Sequence, residues 1–263
     1  GRPHRRRADR LFKENLEFMD QRLITELVIA NRILAREDVI DAYGHVSVRN
    51  PDNPERFFLS HSLAPAFVER SDILEFDLEG KPVGSDRRTP YLERFIHGAI
   101  YEARPEVMAV VHAHAEDTLP FGIAPAKLRP VIHSGAFIGA EVPVWDIAKR
   151  FGERTNLLVT NVAQGRDLAK SLRKNNVVLM RGHGFAAAAT SLIDVVRMSV
   201  YLPRNARVQF RALQLGKVKP LSRGEIQART GGAGYKPQSP ETQRAWQYWA
   251  ARAGCAELLK QLS

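Results

Sequence analysis

A chain of 263 residues with 44% hydrophobic and 26% charged residues has the balance of a soluble globular protein, large enough for a sizeable core. The net charge of +10 is partly local, since residues 1–10 carry five arginines against one aspartate, and no basic stripe interleaved with aromatics suggests nucleic acid as a partner. No apolar run approaches the ~20 residues that cross a bilayer, no apolar segment follows the basic N-terminus as in a secretory signal, and the single cysteine, Cys255, fits helix packing in a reducing cytoplasm.

Residues 10–36 show helical spacing at Leu11, Leu16, Met19, Leu23, Leu27 and Ile33/Leu34. Val46 to Val48 and Phe57 to Leu59 are β-type runs around the turn cluster Asn50-Pro51-Asp52-Asn53-Pro54, which predicts a hairpin. Ile73 to Leu78 with Pro82-Val83 predicts a second one. Thr89-Pro90 reads as an N-cap followed by proline at the first helical position, opening a helix from Tyr91 to about Ala103. On it Glu93 and His97 share a face. Val107 to Val111 reads as a buried strand, residues 115–124 as a short helix, 129–133 and 141–144 as strands, and 162–174 as a helix. A strand from Val177 to Met180 follows, then a long helix from Leu192 to about Leu215, with a kink or break expected at Pro203. Residues 216–238 read as a loop, and Ser239-Pro240-Glu241 opens a final helix. Interspersed strands and helices predict one layered α/β domain.

Three histidines carry the chemistry. His112 and His114 end the Val107 strand two residues apart, so both rings point to one side. His183 follows the Val177 strand between Gly182 and Gly184, which permit a tight turn. Three imidazoles on strand ends suit a catalytic divalent metal with positions open to water or substrate, and Glu93 is a candidate fourth ligand or proton shuttle. Zn is the first choice of ion, with Mn, Fe or Co compatible with the same donors.

Gly44-His45-Val46-Ser47-Val48-Arg49, Glu93 with His97, Arg104-Pro105 before His112-Ala113-His114, and Arg181-Gly182-His183-Gly184 together resemble the landmarks of the class II aldolase/adducin family. The resemblance spans roughly residues 20–215. It implies an α/β/α sandwich around a mostly antiparallel sheet, a homotetramer with metal sites at subunit interfaces, His112, His114 and His183 as metal ligands, and Glu93 as acid/base or ligand. The implied division is a basic tail over 1–9, the domain over 10–215, and a loop and C-terminal helix over 216–263 packing on it. Phosphate-using relatives carry Asn at position 45 and small donors in the loop that here reads Ser60-His61-Ser62-Leu63-Ala64-Pro65. His45 and this loop instead resemble a decarboxylase branch acting on dihydroxyphthalates and ring-cleaved dienoates. That predicts a small anionic substrate, with His45, His61 and Glu93 as candidate proton donors and Arg49 or Ser60 orienting a second carboxylate. An aldolase or epimerase acting on a hydroxy-carbonyl compound is the alternative.

Overall fold

Two apolar clusters sandwich one seven-stranded sheet, and the alternation of side chains along each strand decides which cluster a residue joins. The computed structural model describes residues 21–231, 236 and 239–262. The basic segment 1–9 and positions 10–20 of the expected first helix lie outside the described residues. Helix α1 occupies residues 21–36, with Leu27, Ile33 and Leu34 buried as their spacing predicts.

The sheet begins with β1 (His45–Arg49), β2 (Arg56–Ser60) and β3 (Ile73–Asp77). β1 and β2 form the expected antiparallel hairpin. The second hairpin is only a bridge between Phe76 and Pro82, with Val83 N–H donating to Glu75 O, because Pro82 has no amide hydrogen to continue a ladder. Helix α2 (Phe95–Ala103) starts four residues later than expected, since Pro90 is held in a bridge with His61 and residues 92–94 form a turn. Glu93 therefore precedes the helix rather than sharing a face with His97.

Next come β4 (Ala109–Ala113), α3 (Leu119–Ile123), β5 (Val144–Trp145), α4 (Ala148–Phe151), α5 (Val162–Leu172), β6 (Val177–Met180) and β7 (Gly184–Ala189). The strand order is β3-β2-β1-β4-β7-β6-β5, antiparallel except for the β5–β6 pair. No strand forms at 129–133. There the amides of Arg129, Val131 and Ile132 donate to the side-chain oxygens of Gln209 and Asn205, which replace a partner strand.

Helix α6 (Leu192–Leu215) has the predicted ends and runs unbroken through Pro203. The proline removes one rung, opposite the Ser199 carbonyl, but a 24-residue helix with its Val195, Val196, Val200 and Leu202 face buried tolerates that loss. The expected loop at 216–238 contains α7 (Arg223–Thr230), started by a capping box between Ser222 and Glu225. Helices α8 (Pro240–Arg252), capped by Ser239 as expected, and α9 (Ala256–Lys260) complete the chain, with Trp246, Trp249 and Cys255 buried.

Side chains from α1, α6 and α8 fill one face of the sheet with Val46, Val48, Val111, Phe185 and Ala187. Ile96, Ile100, Leu168 and Leu172, from α2 and α5, fill the other with Val110, Ala186 and Ala188. The architecture is thus an α/β/α sandwich around a mostly antiparallel sheet. None of its described helices is long and apolar enough to cross a membrane.

Candidate metal centre and substrate cavity

His112 lies in β4, on the α2 side of the sheet, and His114 follows it one residue past the strand end. His183 sits in the turn joining β6 to β7. Gly182 adopts φ +66°, and a Cβ on Gly184 would come within 2.1 Å of the Ala113 carbonyl oxygen, so both flanking glycines are required by geometry. The antiparallel pairing of β4 with β7 then brings the two sites together.

His114 Nε2 is 3.1 Å from both His112 Nε2 and His183 Nε2. Glu93 Oε2 lies 3.3 Å from the Nε2 atoms of His112 and His183. These four ligand atoms fall within 4.8 Å of one another. The other ring nitrogen of each histidine is committed. His112 Nδ1–H donates to Phe185 O at 3.0 Å, His183 Nδ1–H to Leu157 O at 2.9 Å, and His114 Nδ1–H to the Asp41 carboxylate at 3.1 Å. Each Nε2 is therefore a lone pair, and three lone pairs at such separations repel unless a cation lies among them. Bonds of ~2.0–2.1 Å to one ion separate neighbouring ligand atoms by about 3.3 Å in a tetrahedral site, close to the four separations of 3.1–3.3 Å above. The donor set fits a divalent ion.

The local charges agree with that fit. Burial pushes the Glu93 carboxyl up, but the adjacent His112 and His183 outweigh it and hold the group far below the usual carboxylate range. Its other oxygen, Oε1, accepts from Val159 N–H at 2.8 Å. Burial would also raise Asp41, yet the amides of Tyr43 and Gly44 and the His114 ring keep it ionised. His114 is held down by burial and by His112, which favours the neutral ligand form. Burial pulls His183 the same way, but Glu93 raises it overall, so a proton competes with a cation at this ring.

Beside the cluster is a cavity of about 720 Å³, lined by His45, Glu93, His114 and His183 together with Tyr43, Ser62, Leu63, Ala64, Tyr91, Leu92 and Leu158. No lysine or arginine lines it among the described residues. His45 is buried, with its ring 4.6 Å from that of Tyr91 and 5.2 Å from that of His112. Burial and the neighbouring His97 and His112 keep it neutral, well below the ordinary histidine range.

The remaining sequence candidates lie outside this lining. His61 is turned to Asp72, with Nε2 3.2 Å from Oδ1. Ser60 is buried and contacts Tyr91 Oη at 3.4 Å. Arg49 is buried on the α2 side, where its guanidinium donates to the carbonyls of Val107, Pro54, Tyr101 and Arg104, so four of its five N–H groups are taken by the backbone and it does not line the cavity. The sequence does not mark Asp41 or Tyr91 as site residues. Asp41 carries no local motif, and Tyr91 reads there as part of a helix.

A model of the Class II Aldolase and Adducin N-terminal domain matches residues 25–210. The chain is 42% identical over 195 residues to decarboxylase tropJ of Talaromyces stipitatus, covering 70% of this chain and 73% of that protein. It is 27% identical over 248 residues to 3,4-dihydroxyphthalate decarboxylase of Arthrobacter keyseri, covering 88% and 93%. An aldolase II superfamily protein from Pseudomonas syringae has the same fold, with a TM-score of 0.72 at 21% identity over 89% of this chain and 93% of that one.

Proposed function

The chain belongs to the class II aldolase and adducin family, and from that premise we propose that it is a divalent-metal-dependent decarboxylase. Its substrate is a hydroxylated aromatic or ring-cleaved dienoate polycarboxylate of aromatic-compound catabolism. One observation carries the reading: of the four-residue cluster, Glu93, His114 and His183 line a cavity whose other walls are mostly apolar and, among the described residues, hold no lysine or arginine. A phosphate dianion finds no cationic side chain there. A flat acid with adjacent oxygens needs only the metal to bind its chelating end.

His112, His114, His183 and Glu93 would hold the ion, which would supply a Lewis acid for the electrons released when the C–C bond breaks. The protein does the rest. Tyr91, Leu63, Leu92 and Leu158 give the cavity apolar walls, beside which a departing carboxylate is favoured as neutral CO2 over the anion. Glu93 is fixed at Oε1 by Val159 N–H. Its Oε2 would hold the proton that replaces CO2 on carbon only once substrate binding has released that oxygen from the ion, which then rests on the three imidazoles. A small anionic substrate and cytoplasmic action belong to the same reading, as does a homotetramer, in which exposed Tyr43 and Leu92 at the cavity rim are covered by a neighbour.

The test is to supply metal-loaded protein with dihydroxyphthalates and hydroxy-oxo-dienoates and to follow CO2. Metal-dependent release of CO2 is expected. Cleavage of a hydroxy-carbonyl compound into two carbonyl fragments, with no CO2 from any acid, would establish the aldolase alternative instead.

A further inference from the structure

Behind the cavity runs a chain of buried polar groups that the reaction outlined above does not use. His45 Nδ1 is 2.6 Å from His97 Nε2, His97 Nδ1 is 2.6 Å from Ser47 Oγ, and Ser47 Oγ is 2.7 Å from Tyr101 Oη. His45 and Ser47 stand on the same face of β1, and His97 and Tyr101 lie one helical turn apart on α2. All four are buried, so each hydrogen needs an acceptor.

That requirement gives the chain a direction. Among the described residues the only side-chain partner of the Tyr101 hydroxyl is Ser47 Oγ, and its backbone bond to Val110 lowers the phenol's pKa, as a donated N–H does, so the phenol hydrogen goes to Ser47. The Ser47 hydrogen must then go to His97 Nδ1. A neutral His97 consequently carries its hydrogen on Nε2 and gives it to His45 Nδ1. A neutral His45 is left with its hydrogen on Nε2, the ring edge not taken by His97, and the ring lines the cavity. Run the other way, the chain would strand the Tyr101 hydrogen in the core. Burial supports neutrality at both rings, holding His97 down to about 3 and pushing the Tyr101 phenol well above its usual range.

We propose that Tyr101, Ser47 and His97 are positioning residues that lock His45 as a neutral Nε2–H donor, which holds a carboxylate or oxyanion oxygen of the substrate in the cavity. The proposal rests on the reading of this cavity as the substrate site. His45 here binds and orients rather than delivers the proton, because losing its hydrogen would draw one along the chain and leave a buried Tyr101 phenolate.

Two-bond 1H–15N correlation spectra of the full zinc-loaded chain, labelled with 15N-histidine, read each tautomer without any substrate. The expected result is an Nε2–H tautomer for both His45 and His97, and a mixture of tautomers in Tyr101→Phe. In the activity assay, Tyr101→Phe should lose about tenfold in kcat/KM with metal content unchanged. His45→Gln, whose amide N–H reaches the Nε2 position, should retain more activity than His45→Glu. An Nδ1–H tautomer or an imidazolium at His45 in the wild-type chain overturns the proposal. If the expected tautomers appear but no acid releases CO2, the decarboxylase reading fails and the donor lock stands. If CO2 is released but His45 carries the opposite tautomer, the donor lock fails and the decarboxylase reading stands.

Discussion

Two histidine clusters lie side by side in this molecule, and they differ in which way their nitrogens face. In the cluster of His112, His114 and His183, every Nδ1 is tied to an oxygen acceptor and every Nε2 lone pair turns inward. In the His45–His97–Ser47–Tyr101 chain, donors and acceptors alternate, so the three links satisfy one another and one hydrogen, on His45 Nε2, is left over. Both are buried or nearly so, and both lie on the same side of the sheet. The commitment of the second ring nitrogen, more than the count or spacing of histidines, separates a site that demands a cation from one that needs none.

The comparison breaks most sharply at the first cluster. His112→Ala should abolish metal binding and lower turnover on the order of 10³-fold, as elemental analysis and initial rates will show. Glu93→Gln should keep its metal on the three remaining imidazoles while losing ~10²-fold in kcat, because the amide cannot hold the proton. Full activity with bound metal in that variant would make the carboxylate a bystander. A smaller effect is expected at Asp41, which only orients His114: Asp41→Asn should weaken zinc affinity ~10–100-fold in competition with a chelator.

A pH dependence sharpens the same contrast. His183 is raised above its usual 6.5 by Glu93, so in metal-free protein the protonated pair stabilises the fold fully below that value and loses its contribution as pH climbs through the raised one. The metal needs the unprotonated ring and behaves oppositely. The difference in Tm between metal-loaded and metal-free protein should therefore widen as pH rises through and above the ordinary histidine range, since the depressed rings of His45 and His97 contribute equally to both forms. A difference that narrows with rising pH would contradict this.

Much of this was legible because local chemistry and tertiary placement agree. The two-residue spacing of His112 and His114, the glycines around His183 and both ends of α6 follow from strand alternation, turn geometry and helical periodicity. β7 was not legible, since a lone Phe185 is followed by four alanines, which disfavour strands; burial between β4 and β6 decides their state. α7 had a readable signal in Ser222 and Glu225, obscured by the glycines and prolines around it. Arg49 looked like a carboxylate clamp from its motif, yet four backbone carbonyls, from Pro54 and from residues 101–107, claim it once α2 packs on β1. Such long-range acceptors leave no mark near the arginine in sequence.

The most direct test of the difference between the clusters is the metal content of three purified, zinc-equilibrated proteins measured side by side: wild type, His183→Ala and His45→Gln. One ion per chain is expected in the wild type and in His45→Gln, and none in His183→Ala. Equal metal in all three, or its loss from His45→Gln alone, would contradict the assignment of the cation to His112, His114, His183 and Glu93.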